Sequence, residues 1–165
     1  MDALEPESLQ VPLLLSVVQF HTGVQEEFHA IVCTDEMDDK CKSLDRVRNK
    51  VDNIEKQDGG TDLWTGLEYV TDVVSGQLRK GSQKVLVTIT DGSPSDEENP
   101  RVLAVAKTMF DQMLAVGVGQ DLNENVLKKL SKVEPIHVTD FSALDGIVQQ
   151  MTRIICTHIE ENLIG

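Results

Sequence analysis

The chain has 165 residues, enough for one domain that buries most of its apolar surface. With 15 basic and 28 acidic residues its formal charge is −13, which argues against nucleic acid as a partner, because neutralising phosphates needs clustered Lys and Arg. No run approaches the ~20 apolar residues of a membrane span, so no direct membrane contact is expected of this segment, and the acidic start Met1-Asp2-Ala3-Leu4-Glu5 lacks the apolar core of a signal peptide.

Residues 1–10 are polar, with Pro6 and Pro12 limiting any helix, and are expected to form a lead-in. Val11 to Phe20 is a nearly continuous apolar run, the pattern of a strand covered on both faces. Phe20-His21-Thr22-Gly23 reads as a turn and Val24 to Phe28 as a short returning edge strand. Between Asp35 and Ile54, steps of three and four link Cys41, Leu44, Val47, Val51 and Ile54 along one helical face. Asp58-Gly59-Gly60-Thr61-Asp62 is a glycine turn into a second helix, whose inward stripe is Leu63, Leu67, Val70, Val74 and Leu78. Asp62 is well placed near that helix's positive end. Trp64 falls in its first turn, where it either packs into the core or stands exposed as an anchor for a partner.

Gly76 weakens this helix near its end, and Arg79-Lys80-Gly81-Ser82 leads into the apolar strand Val85 to Thr90. A loop follows from Ser93 to Pro100, then a helix from Arg101 to Phe110 with Val102, Val105, Ala106 and Met109 inward. Met113 to Val118 is a second buried strand, Asn123 to Leu130 a short helix, and Ile136 to Val138 a short strand. Phe141-Ser142-Ala143-Leu144 opens the final helix, with a stripe of Leu144, Ile147, Val148, Met151, Ile155 and Ile159. This alternation predicts an α/β fold: a doubly wound, mostly parallel sheet with helices on both faces and one antiparallel edge strand.

Thr61 at a loop-to-helix junction and Asp91 at a strand's carboxyl end fall on the same edge of such a sheet, where ligands usually bind. Hard oxygen donors without a convergent Cys/His set suit Mg²⁺ or Mn²⁺ better than zinc. The plainer alternative is that Asp91 caps a loop and Thr61 starts a helix. Gly117-Val118-Gly119 begins like a dinucleotide fingerprint, but Leu122 stands at the third glycine position, which argues against a nucleotide. His21, His29, His137 and His158 lack metal-ligand spacing and no Gly-x-Ser-x-Gly occurs, so no catalytic residue is assigned and an enzyme is not expected. Cys33 and Cys41 either close a small loop or stay free, and Cys156 has no obvious partner.

Gly59-Gly60-Thr61, Thr90-Asp91-Gly92 and Ala115-Val116-Gly117-Val118-Gly119, in that order and spacing, resemble the second metal motif, third metal motif and fifth strand of a von Willebrand factor type A domain. Ser16 to Phe20 followed by Glu27-Phe28 resembles its second and third strands. The resemblance covers residues 11–160, leaving 161–165 as a tail. It implies a Rossmann-like sheet and a metal-ion-dependent adhesion site. There Thr61 binds Mg²⁺ or Mn²⁺ through its hydroxyl, Asp91 binds directly or through water, Asp62 stands in the outer shell, and a protein ligand offers an Asp or Glu carboxylate.

The family's first motif, Asp-x-Ser-x-Ser after its first strand, has no match upstream of Val17. The central strand is therefore expected to be missing, the domain N-terminally truncated, and the cation affinity weak or lost. Two unpaired strand edges would then face a gap of roughly 10 Å. Asp91-Gly92-Ser93-Pro94-Ser95 literally matches the missing motif, which makes Ser93 and Ser95 candidate ligands in a permuted arrangement. Phe141 to Val148 and the later Ile159-Glu160 are similar to the inserted domain of integrin alpha chains. That likeness implies Glu160 as an internal ligand for an integrin beta chain and Ile155 as the aliphatic detent of a conformational switch. Glu161 stands where that family has glycine, and Ile155 is five rather than four residues before Glu160. The implied function is cation-dependent cell adhesion, extracellular or at the cell surface, within a larger membrane or secreted protein. The alternatives are an A domain of a matrix protein of collagen or matrilin type, and a structural remnant that binds no metal.

Overall fold

A computed structural model describes residues 13–33, 49–55, 57–74, 76, 81–120, 122–144, 146–147 and 150–151. β1 (Leu13–His21) and β2 (Gly23–Cys33) form an antiparallel hairpin. Only Thr22 separates them, and Gly23 takes φ 135°, a value that favours glycine. The expected four-residue turn is thus tighter, and β2 runs five residues beyond Phe28. Pairing along the whole of β1 overrides its polar composition, with irregularities at Leu15/Val17 and Val17/Val18 absorbing the change of register. Described β1 side chains are half-buried, not covered on both faces as their apolar run predicted.

β3 (Val85–Thr90), β4 (Gln112–Val118) and β5 (Ile136–Val138) form a separate parallel sheet in that order. β5 pairs only with Val116 to Val118. Below it the edge of β4 is closed by the following loop: Lys132 N and Ser131 Oγ donate to Met113 O at 2.8 and 3.2 Å, and Ala115 N donates to Ser131 Oγ at 3.4 Å. Helices supply the crossovers. α1 (Leu63–Tyr69) runs on into a π turn over Val70–Val74. α2 (Pro100–Met109) and α3 (Glu124–Leu130) are capped by Asn99 and Asn123, whose side chains accept from Val102 N and Val126 N at 3.3 Å. Proline at the first helical position of α2 suits a site whose N–H has no intrahelical partner.

A 3₁₀ turn, Phe141–Ala143, opens the last described helical residues, up to Met151. Asp140 accepts from the Ser142 hydroxyl and from Ser142 N at 2.8 Å, and these bonds hold its carboxyl below the usual range. Of the helix expected between Asp35 and Ile54, residues 49–52 are helical and 53–54 are not, while residues 35–48 lie outside the description.

The core has two layers. On one face Leu63, Trp64 and Leu67 of α1, Val102, Leu103 and Ala106 of α2, and Leu127 and Leu130 of α3 pack with Met113 and Ala115 of β4. On the other, Leu114, Val116 and Val118 meet Ile136, Val138, Leu144, Ile147 and Met151. α2 turns Leu103 inward, leaving Val105 40 % exposed, contrary to its expected stripe. Both positions are apolar, and the packing between α1 and β4 selects the larger one. Gly117 is also a packing residue: an added Cβ would meet Leu122 Cδ1 at 2.6 Å and Leu127 Cδ1 at 2.7 Å.

Among the described residues no strand joins the two sheets. α1 lies close on the β1 side, where a Cβ on Gly66 would stand 2.9 Å from Phe20 Cβ. In an open helix Gly→Ala gains about 1 kcal/mol from propensity. Here the added methyl meets an atom fixed to the β1 backbone, and such overpacking costs typically ~1–3 kcal/mol. Gly66→Ala is therefore expected to destabilise the domain by about 1–2 kcal/mol, read as a lower urea midpoint at unchanged slope.

Candidate functional site

Three backbone segments meet at the carboxyl edge of the strands: the β1–β2 turn, residues 59–62 ahead of α1, and the loop after β3. Asp62 N donates to His21 O at 2.8 Å and Gly60 N to Thr22 Oγ1 at 2.7 Å, which fixes the glycine turn against the hairpin. Thr61 and Ser95 then exchange two bonds, Thr61 N to Ser95 Oγ at 2.8 Å and Ser95 N to Thr61 O at 2.9 Å. Ser95 Oγ in turn donates to Asp62 Oδ1 at 2.8 Å. Both glycines are needed for this approach. Gly59 has φ 146°, and an added Cβ would stand 2.5 Å from Thr22 Oγ1; at Gly60 it would stand 2.7 Å from Ser95 Oγ.

Thr61 and Asp91 come to the same edge, as expected. A Cβ on Gly92 would lie 3.6 Å from Thr61 Oγ1, so the hydroxyl sits beside the Asp91-Gly92 turn. Neither Thr61 Oγ1 nor the exposed Asp91 carboxylate is hydrogen-bonded or ion-paired to a described residue. Ser95 and Asp62 are instead engaged with each other and with backbone, so they act as scaffold. Ser93 is exposed and unbonded among the described residues.

Asp62 occupies the N-cap position of α1, but its side chain makes no cap bond. Asp96 does that work from across the loop, accepting from Thr65 N at 2.7 Å through Oδ2. The other oxygen of Asp96 is buried with no partner among the described residues. Sequence reasoning missed Thr22 and Asp96: one lay in a turn, the other in an acidic loop, and neither position carries a local pattern that names its distant partner. Among the described residues no group of three or more His, Cys, Asp and Glu side chains stands close enough to hold a metal.

Trp64 is 3 % exposed and belongs to the core, so it is not offered to a partner as an anchor. Glu160, Ile155, Cys41 and Cys156 lie outside the described residues, as do the side chains of Cys33 and Val148. Tyr69 ties α1 to the hairpin by donating to Glu26 Oε2 at 2.9 Å, and this bond raises the phenol's pKa. Lys129 of α3 reaches Glu98 at 2.5 Å, an exposed pair of small energetic weight that touches the site loop from its far side.

The family model for the von Willebrand factor type A domain matches residues 4–150. Matrilin-1 of Mus musculus is 28 % identical over 156 residues, covering 90 % of this chain and 29 % of the relative; human matrilin-1 gives the same figures. The human collagen alpha-5(VI) chain is 25 % identical over 163 residues, covering 94 % of this chain and 6 % of the relative. The chain thus spans less than a third of the matrilin-1 proteins it matches. Among solved structures, proximal thread matrix protein 1 from the mussel byssus, described with a zinc-occupied MIDAS motif, superposes with a TM-score of 0.72 at 21 % identity, covering 87 % of this chain and 36 % of that one. A von Willebrand factor type A domain from Catenulispora acidiphila gives 0.69 at 17 % identity, covering 86 % and 33 %.

The scaffold assignment separates the two serines. Ser95→Ala removes the acceptor of Thr61 N and a donor to Asp62, and is expected to cost about 1 kcal/mol, the net worth of one or two partly solvated hydrogen bonds. Ser93→Ala should stay within about 0.5 kcal/mol of the parent. Chemical denaturation of both variants measures the difference; equal costs would remove the distinction.

Proposed function

The chain belongs to the von Willebrand factor type A domain family, and we propose that it serves as a protein-binding module of an extracellular-matrix protein, engaging its ligand through a weak cation site at the Thr61–Asp91 edge. The observation that carries the site is the division of labour among its oxygens. Ser95 and Asp62 are consumed in holding loops together, whereas the Thr61 hydroxyl and the Asp91 carboxylate stand uncommitted on one edge. The relatives that span most of this chain, matrilin-1 and a collagen VI chain, support the matrix reading over an integrin alpha chain. A protein partner and an extracellular setting follow by the same likeness, and nothing calls for an integrin beta chain. That no helix of the described residues is long and apolar enough to cross a membrane is compatible with this setting.

The donor set fits Mg²⁺ or Mn²⁺ only in part. Mg²⁺ takes six oxygens and keeps several waters readily, so one hydroxyl and one carboxylate can hold it weakly. The orphaned buried oxygen of Asp96, close behind the start of α1, also calls for a water or a cation as partner. When bound, the ion would supply an electrophilic position for a ligand carboxylate. The chain's own residues do the rest. Gly59 and Gly60 let the loops approach, Ser95 fixes the backbone of Thr61, and Asp62 holds the Ser95 hydroxyl in place.

Titration with Mn²⁺ or Mg²⁺, followed by thermal unfolding, is the first test. A cation that binds only the folded state stabilises it by mass action, about 1.4 kcal/mol at ten times its Kd. Saturable stabilisation in the millimolar range is expected, lost in Asp91→Ala and reduced in Thr61→Ala. Retention of the domain on immobilised matrix protein should likewise require the cation and fail in EDTA or with Asp91→Ala. A folded chain with a flat cation response and cation-independent retention would leave a structural remnant in place of an adhesion site.

A further inference from the structure

Ser95 is the residue through which the loop after β3 is fastened to the start of α1. Its hydroxyl accepts from Thr61 N at 2.8 Å and donates to Asp62 Oδ1 at 2.8 Å, while its own N–H donates to Thr61 O at 2.9 Å. The next residue, Asp96, accepts from Thr65 N at 2.7 Å, so the same loop also holds the first turn of the helix. Ser95 is nevertheless exposed, in a stretch from Ser93 to Asn99 that forms neither strand nor helix.

Three acids follow it directly. Asp96, Glu97 and Glu98 occupy the next three positions, and no other serine of the chain has an acid at each of those three. Glu97 and Glu98 are exposed, and the ion pair of Glu98 with Lys129 lies at the surface, where such a pair is weak and easily given up. An exposed hydroxyl on an irregular loop, with carboxylates immediately downstream, is the substrate chemistry of one enzyme class: serine kinases whose basic groove takes acids on the carboxyl side of the serine. Opening a few exposed hydrogen bonds is enough to present it.

We infer that Ser95 is a phosphorylation site for an acid-directed serine kinase, and that a phosphate there unlatches the loop from Thr61 and Asp62. In the transfer the γ-phosphoryl group of ATP moves to Ser95 Oγ. The bond from its phosphorus to the ADP oxygen breaks, the Oγ–P bond forms, and the hydroxyl proton leaves to solvent. The proton lost is the one that Ser95 donates to Asp62.

Two effects then act in the same direction. Oγ becomes an ester oxygen with nothing to donate, and a group of about −1.5 to −2 charge stands beside the Asp62 carboxylate, where like charges repel. Oγ also lies close against Gly60, where an added carbon would stand 2.7 Å away, so the phosphate has no room on that side and must be carried outward. The loop moves with it, which parts Ser95 N from Thr61 O and draws Asp96 from Thr65 N. The inference rests on this latch and on the residues that follow it, and it does not need the cation reading.

The test incubates the whole chain with ATP, Mg²⁺ and an acid-directed serine kinase and maps the phosphate by peptide mass spectrometry. Nucleotide and metal are then stripped with EDTA before amide exchange is measured. Phosphate is expected on Ser95, retained in Ser93→Ala, lost from the loop in Ser95→Ala, and reduced about tenfold or more when Glu97→Gln and Glu98→Gln are combined. In the phosphorylated chain the amides of Thr61, Thr65 and Ser95 should exchange about tenfold or more faster than in the parent while those of β4 keep their rates, the mark of a local opening. Phosphatase should restore the parent's rates, and phosphorylated Asp62→Asn should open less, because its amide can donate to the phosphate. Several results would overturn the inference: no phosphate on the folded chain, phosphate on Ser93 or elsewhere in place of Ser95, or incorporation indifferent to Glu97 and Glu98. So would a phosphorylated chain whose Thr61 and Ser95 amides exchange as in the parent, acceleration shared equally by β4, or an Asp62→Asn variant that opens as far as the chain with Asp62.

Discussion

The arrangement of the two sheets rests on a short piece of backbone, Gly60 to Asp62, together with the apolar layer beneath it. Three of its N–H groups reach outward, to Thr22 Oγ1, Ser95 Oγ and His21 O, and one carbonyl accepts from Ser95 N. Each such bond contributes only about 0.5–1.5 kcal/mol net. Burying one Leu or Phe side chain contributes about 1.5–3 kcal/mol, and the layer under α1 buries Leu63, Trp64, Leu67 and Leu103 together. Apolar burial therefore holds the hairpin to the parallel sheet. The hydrogen bonds decide where it sits, and thereby which oxygens face outward at the edge.

Elsewhere the fold closes its strand edges by identifiable means. β4 outlasts the three-residue β5, and Ser131 with Lys132 takes up the carbonyl and N–H that β5 leaves over. β2 carries Glu26 and Glu27, and Glu27 accepts from Gln19 across the hairpin at 2.6 Å; charge of this kind discourages edge pairing. β3, a run of Val, Leu, Val, Thr, Ile and Thr paired with β4, has the composition of an interior strand.

The strands and helices of the second half were legible because their patterns are local. The continuous apolar runs gave β3 and β4 to within a residue, and the helices expected over Arg101 to Phe110 and Asn123 to Leu130 fall within a residue of α2 and α3. What the sequence hid depends on distant partners. Whether Trp64 is core or surface is decided by helices and strands far along the chain, and the choice of Leu103 over Val105 by packing between two layers. The length of β2 was hidden because pairing with β1, which is not a property of its own residues, extends it. At the site the same division holds. Thr61 and Asp91 were legible as oxygen donors at predictable ends of elements. The roles of Ser95, Thr22 and Asp96 arise from bonds spanning more than thirty residues for each of them, a separation at which no spacing rule operates.

The scaffold and the candidate donors divide at the carboxyl edge. Ser95, Asp62 and the two glycines hold the loops through bonds among themselves and to the hairpin, so the placing of Thr61 and Asp91 needs no ion. Two protein oxygens leave most of a six-coordinate shell to water, which is the condition under which a ligand carboxylate could complete it.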